Sequence, residues 1–147
     1  MKATIFSFLL ISSCLLAVHY STLDKPLKDT NSMKKELNHK ILTPGSGQQP
    51  SKGSTVIIHY SGWLANEDGS KGDMFDSSKP RNQPFSFVVG SQMVISGFDE
   101  GVLKMKKGEI AEIFIPSQLG YGAYAQGPIP ANSNLIFEIE LLDIKNN

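Results

Sequence analysis

Apolar side chains recur at every second position in several short runs of this chain, and glycine- and proline-rich turns separate the runs. A half-buried β-strand imposes that period, because successive side chains leave opposite faces of its backbone. Thr55 to Leu64, TVIIHYSGWL, puts Val56, Ile58, Tyr60 and Leu64 on one face and Ile57, His59 and Trp63 on the other. Phe85, Phe87 and Val89 alternate with Ser86 and Val88. Ala111, Ile113 and Ile115 share one side of Ile110 to Ile115, and Leu135, Phe137, Ile139 and Leu141 are opposed by Glu138 and Glu140. Strand and turn signals begin at His39, where Lys40-Ile41-Leu42-Thr43 runs into the turn cluster Pro44-Gly45-Ser46-Gly47. One segment departs from the period. Ser96 to Met105, SGFDEGVLKM, reads as a helix with Ser96 as N-cap, Asp99 in its first turn and Lys106-Lys107-Gly108 at its end. The fold class is therefore α+β, a mostly antiparallel sheet with one short helix packed on one face, and not a doubly wound sheet.

At 147 residues the chain fits one domain, and two only with difficulty. Its 14 basic and 14 acidic side chains cancel, so no whole-chain field draws it to nucleic acid or to an anionic membrane.

The first residues differ from all that follow. Behind Lys2 lies ATIFSFLLISSCLLAV, an uncharged apolar run of sixteen residues, followed by HYST and a polar stretch. This is the layout of a secretory signal peptide over residues 1–21, cut after Ala17 or Ser21. The run is shorter than the roughly 20 residues a spanning helix needs. It also lacks the polar face expected of a helix buried against a core. The expectation is an exported protein, periplasmic or secreted. The sole cysteine, Cys14, lies in this leader, so the exported chain carries neither disulfides nor thiol chemistry. Ile11-Ser12-Ser13-Cys14 also resembles a bacterial lipoprotein processing site, the alternative in which Cys14 is acylated; Leu15-Leu16 and the short preceding apolar stretch argue against it. Residues 22–38, TLDKPLKDTNSMKKELN, read as a polar tether, and residues 39–147 as the domain.

Signatures of bond-breaking chemistry are missing. Gly45-x-Gly47 and Gly120-x-Gly122 lack the third glycine of a dinucleotide loop, and residues 47–54 lack the Gly-Lys-Ser/Thr ending of a phosphate loop. No serine sits in a Gly-x-Ser-x-Gly elbow, and no Cys/His/carboxylate set has metal-ligand spacing. The reading is a protein without metal or cofactor.

What remains is the stretch FDSSKPRNQPFSFVVG, residues 75–90, which sets three phenylalanines beside an Asp, an Arg and two prolines. Taken singly, each has an ordinary explanation. Phe75, Phe85 and Phe137 would be core, Asp76 before Ser-Ser a turn residue, Arg81 a solvated charge, and Tyr121 between two glycines a loop anchor. Together with Tyr60, Val94-Ile95 and Phe98 they could converge on a pocket that takes an apolar guest and offers it hydrogen bonds.

The runs VIIHYSGWL, FDSSKPRNQPFSFVVG, VISGFDEGV, LGYGA and IPANSNLIFEIELLDI, in this order, resemble an FKBP-type peptidyl-prolyl cis/trans isomerase, of the macrolide-binding immunophilin family. The resemblance covers about residues 39–145. It implies a twisted antiparallel sheet wrapped around one short helix. It implies that Tyr60, Phe75, Phe85 and Phe137 form apolar walls over Phe98, the pocket floor, where the family more often has Trp. By the same resemblance the Ile95 N–H bonds a substrate carbonyl, Tyr121 supplies a hydroxyl, Asp76 and Arg81 form the polar rim, and Val94 and Ile129 join the substrate-binding surface. The implied partners are proline-containing segments of folding proteins, with macrolides as inhibitors. Larger exported relatives carry long N-terminal dimerisation helices, for which residues 22–38 are too few, so a monomer is expected. The turn Ala65 to Met74 is longer than is usual before the Phe-Asp pair, giving a hairpin that protrudes toward partners. The rival reading is a proline-binding chaperone or adhesion module on the same fold with little turnover.

Overall fold

The structure, a computed structural model, describes residues 36–146. The leader, Cys14 and nearly all of the tether lie outside the described residues. Strand β1 (Asn38–Thr43) starts one residue before the domain start read from the sequence. It is followed by β2 (Thr55–Ala65), β3 (Lys71–Ser77), β4 (Phe85–Val88), the helix α1 (Ser96–Lys104), β5 (Ile110–Ile115), a 3₁₀ turn at Ser117–Leu119, and β6 (Leu135–Lys145).

The strands form one six-stranded sheet in the order β1-β5-β6-β2-β3, with β4 also on β2, and every pairing is antiparallel. The long strand β2 organises it. One edge of β2 pairs with β6 from Thr55 opposite Lys145 to Leu64 opposite Leu135. Its other edge is shared: β4 takes Thr55 to Ile58, and β3 takes Ser61 to Ala65. The handover falls beside Tyr60, where the two partners diverge and the sheet can open a cavity.

The alternation holds where it was read. Val56, Ile58, Ala111, Ile113, Ile115, Leu135, Ile139 and Leu141 are all fully buried on one face. Each large side chain among them contributes about 1.5–3 kcal/mol of burial free energy. The other face is polar and cross-linked: Lys71 Nζ lies 3.0 Å from Glu112 Oε2 and 3.2 Å from Glu138 Oε2, and also covers the Trp63 ring.

Helix α1 lies on the buried face because two of its residues have no side chain. A Cβ at Gly97 would come within 2.4 Å of Ile115 Cγ2, and one at Gly101 within 2.5 Å of Ile113 Cδ1. These glycines, one turn apart, let the helix backbone press onto β5. Its N-terminus differs from the sequence reading. The cap is Ile95, with no side-chain cap hydrogen bond, and Ser96 is already helical. Met105, read as the last helical residue, is extended; its N–H closes on the Val102 carbonyl.

Strand β3 was not visible in the sequence. Residues 65–74 read as one extended turn, but only the tip from Asn66 to Ser70 is a turn, closed by Asn66 N–H to Ser70 O at 2.9 Å and Gly69 N–H to Asn66 O at 2.9 Å. From Lys71 the chain is paired to β2 with two irregularities in register, which explains the missing alternation.

Candidate functional site

On the helix side of the sheet is a cavity of about 210 Å³ lined by Tyr60, Phe75, Asp76, Phe85, Met93, Val94, Ile95, Phe98, Tyr121 and Phe137. Each structural element delivers its part for a local reason. Tyr60 lies on the core-facing side of β2, two positions beyond Ile58. Phe137 reaches the same space from β6, on the face shared with Leu135 and Ile139. Phe98, in the first turn of α1, forms the base, 4% exposed, with its ring centroid 4.9 Å from Phe137 at 86° and 6.1 Å from Tyr60 at 89°. Phe75 meets Phe137 edge-on at 5.5 Å, and Phe85 meets Tyr60 at 6.0 Å. Edge-to-face contacts of this kind add about 0.5–1.5 kcal/mol each beyond burial and fix the rings as rigid walls.

Gly62 makes the Phe75–Phe137 contact possible. It follows Tyr60 on the same face of β2, and a Cβ there would meet Phe75 Cζ at 2.7 Å and Phe137 Cε1 at 2.8 Å. The signal was present in the sequence, since a glycine interrupting an otherwise regular strand marks a close approach.

The polar edge is a compact set. The Tyr60 hydroxyl donates to Asp76 Oδ2. Asp76 Oδ1 accepts from Arg81 Nη1 at 3.0 Å and from the Ser77 N–H at 2.8 Å. Ser78 then ties the turn to β2, its Oγ accepting from Tyr60 N–H at 2.9 Å. Partial burial pushes the Asp76 carboxyl upward, but the hydrogen bonds from Tyr60, Arg81 and Ser77 outweigh it and hold the group below its ordinary value. The Tyr60 hydroxyl is raised, first by burial and then by its bond to the Asp76 carboxylate. Both groups therefore keep one protonation state near neutral pH. The cavity presents a fixed charge at its rim and an aromatic interior.

Ten of the eleven site residues read from the sequence lie at or beside this cavity. Arg81 does not line the cavity; it meets the rim groups Asp76 and Tyr60, and its side chain is half exposed. Ile129 is not in the wall. It is 4% exposed and belongs to the core cluster, because reciprocal Gln126–Ile129 backbone hydrogen bonds of 2.8 and 2.9 Å turn its side chain inward. Met93, next to Val94 and Ile95, also lines the cavity and is 65% exposed. Neither His39 nor His59 lines the cavity; they are bonded to Glu109 and Ser78. No group of three or more metal-ligating side chains occurs among the described residues. A second cleft, of about 440 Å³, lies between the β2–β3 turn and residues 132–134 and is bordered by Asn66, Glu67, Asp73 and Asn132. It lacks the aromatic enclosure of the first.

Residues 46–142 match the family model for FKBP-type peptidyl-prolyl cis-trans isomerase. The chain belongs to that family. It is 47% identical over 114 residues to FK506-binding protein 1 of Aspergillus oryzae, covering 74% of this chain and 97% of that one. It is 47% identical over 106 residues to FK506-binding protein 1 of Dictyostelium discoideum, covering 71% and 94%. A bacterial relative, an FK506-binding protein of Neisseria meningitidis serogroup B, is 46% identical over 104 residues, covering 70% and 91%. An FKBP-type isomerase rotates the peptide bond preceding proline, and the sheet and helix described above have this family's α+β form.

Proposed function

We propose that the aromatic cavity is the isomerase site and that it acts by taking the X–Pro amide out of water. The reaction is a rotation with a barrier of roughly 18–20 kcal/mol, which arises from the partial double bond of the amide. Charge separation in the planar amide is stabilised by water. In a dry pocket that stabilisation is lost, and the twisted state, with less charge separation, is relatively favoured. A thousandfold acceleration requires only about 4 kcal/mol.

The observation that carries this reading is the convergence of Tyr60, Phe75, Phe85, Phe98 and Phe137, from five separate elements, on one space whose lining also includes Ile95 and Tyr121. Among the described residues neither the Ile95 N–H nor the Tyr121 hydroxyl has a hydrogen-bond acceptor. Phe98 would underlie the proline ring, the Ile95 N–H and Tyr121 would hold substrate carbonyls, and the Tyr60–Asp76–Arg81 set would orient the peptide at the rim. Val94 and Met93 would contact the flanking residues. No proton moves in this scheme.

Because its relatives are FK506-binding proteins, we also propose that this cavity binds that macrolide. The cavity is complete within one chain, which supports action as a monomer. The apolar run behind Lys2 supports export and a role in folding proteins outside the cytoplasm; no helix among the described residues is long and apolar enough to cross a membrane. The test is proline-peptide exchange with and without FK506. Turnover abolished at one equivalent of macrolide is expected. Binding of peptide without turnover would favour the rival reading of a proline-binding module, and turnover insensitive to macrolide would move the reaction elsewhere on the surface.

A further inference from the structure

Between β4 and α1 the chain crosses the mouth of the cavity as a strap, residues 89–95, whose last three residues are Met93, Val94 and Ile95. Its beginning is pinned to the sheet: Val89 N–H donates to Ser54 O at 3.0 Å, and Val89 O accepts from Gly53 N–H at 2.8 Å. In its middle the Ser91 hydroxyl donates to Val88 O at 2.5 Å, and two backbone amides go to one carboxylate. Gly90 N–H donates to Asp99 Oδ1 at 2.6 Å, and Gln92 N–H donates to Asp99 Oδ2 at 3.3 Å. Asp99 is 6% exposed, in the first turn of α1 next to Phe98, and it does not line the cavity.

The strap backbone is shaped around this anion. Gly90 and Gln92 have φ of 78° and 61°, left-handed values that a glutamine adopts only where its surroundings over-determine it. Amides turned inward in this way form a concave anion-binding nest. Asp99 is an ionisable group that takes no part in the proposed chemistry, yet it is bonded from both oxygens to the segment that carries the Ile95 donor. An acidic residue that served only the helix dipole would need neither contact.

We propose that Asp99 is a positioning residue of the isomerase site: its buried carboxylate fixes the strap so that the Ile95 N–H faces the cavity over Phe98. This rests on the cavity being the isomerase site. The test uses Asp99→Ala and Asp99→Asn in the full chain, with kcat and KM taken from exchange spectroscopy over a series of proline-peptide concentrations, and with the amide signals of Gly90, Gln92 and Ile95 followed in the same samples. Alanine frees both amides, so KM should rise about tenfold while kcat falls less, and the Ile95 amide should shift before any peptide is added. Asparagine retains one acceptor and should bring KM back to within about threefold of the parental value. Folded variants with lower melting temperature but parental KM and an unmoved Ile95 amide would overturn the proposal, leaving Asp99 a purely structural residue. If the alanine variant does not fold, an asparagine variant in which the Gly90 and Gln92 amides are both released while KM stays parental and the Ile95 amide is unmoved would overturn it equally. A parental protein without turnover would refute the site reading, and the Ile95 amide in the asparagine variant would still decide whether Asp99 positions the strap.

Discussion

Replacing Phe98 by Ala separates the stabilising role of this ring from its proposed catalytic role. The ring is nearly inaccessible and touches Tyr60, Phe87 and Phe137, with centroids at 6.1, 5.9 and 4.9 Å. Truncation should cost about 3–5 kcal/mol, the usual range for a buried Phe to Ala change. At roughly 4 °C per kcal/mol for a domain of this size, the melting temperature should fall by about 12–20 °C. Domain stabilities of about 5–15 kcal/mol leave a folded population to assay at low temperature. The space vacated admits water, which needs only about 30 Å³, beside the amide that must stay dry. Catalytic efficiency of the folded variant should then fall at least tenfold, about 1.4 kcal/mol of transition-state stabilisation. Phe98→Leu refills most of the space with a side chain that excludes water, so it should stay within about threefold of the parental protein. The assay is proline-peptide exchange at about 10 °C, with circular dichroism confirming the fold. A folded alanine variant at the parental rate would refute the pocket assignment, and a leucine variant as impaired as alanine would refute desolvation as the cause.

Gly62→Ala should drive a methyl into Phe75 and Phe137, costing about 1–3 kcal/mol and narrowing the cavity, read as a lower melting temperature together with weaker peptide binding. Arg81→Ala should leave the fold intact and lower catalytic efficiency less than tenfold, since the guanidinium stands at the rim and does not line the cavity; a loss larger than that of Phe98→Ala would make the rim the centre of catalysis. Isomerase activity should be flat from about pH 6 to 8, because Asp76 is held below and Tyr60 above their ordinary values, so a bell-shaped profile there would reveal proton transfer. For stability the sign follows from the lowered Asp76 value. Its contribution is complete above the unfolded carboxylate pKa of about 3.9 and is lost as pH falls through the folded value. The melting-temperature gap between the parental protein and Asp76→Asn should therefore close on acidification below about pH 4.

How far the sequence revealed this molecule depended on what each segment buries. Strands β2, β5 and β6 bury alternate residues against one core, so their period is plain. β1 and β3 lie at the edges of the sheet, where exposure removes the pattern: in β1 only His39 is not exposed, and in β3 Met74 is 54% exposed. At the start of α1, Asp99 matched a capping pattern, but its carboxylate is committed to Gly90 and Gln92, a pairing that local spacing cannot encode. The aromatic set of the cavity was legible because its members fall in motifs whose order resembles one family. Ile129 is buried in the core cluster and does not line the cavity, a placement set by the Gln126–Ile129 turn that spacing does not encode, and Gly62 contributes through the absence of a side chain.

The central claim, that X–Pro rotation occurs over Phe98 within the aromatic cavity, is tested most directly by two-dimensional NMR of the protein with a proline tetrapeptide that shows both cis and trans signals. The account predicts catalysed cis/trans exchange cross-peaks together with saturable shifts of the Ile95, Phe98 and Tyr121 amides, all with the same peptide dependence and all abolished by FK506. Catalysed exchange accompanied by shifts at Asn66, Asp73 and Asn132, with the Ile95 and Tyr121 amides unmoved, would place the reaction in the other cleft and contradict it.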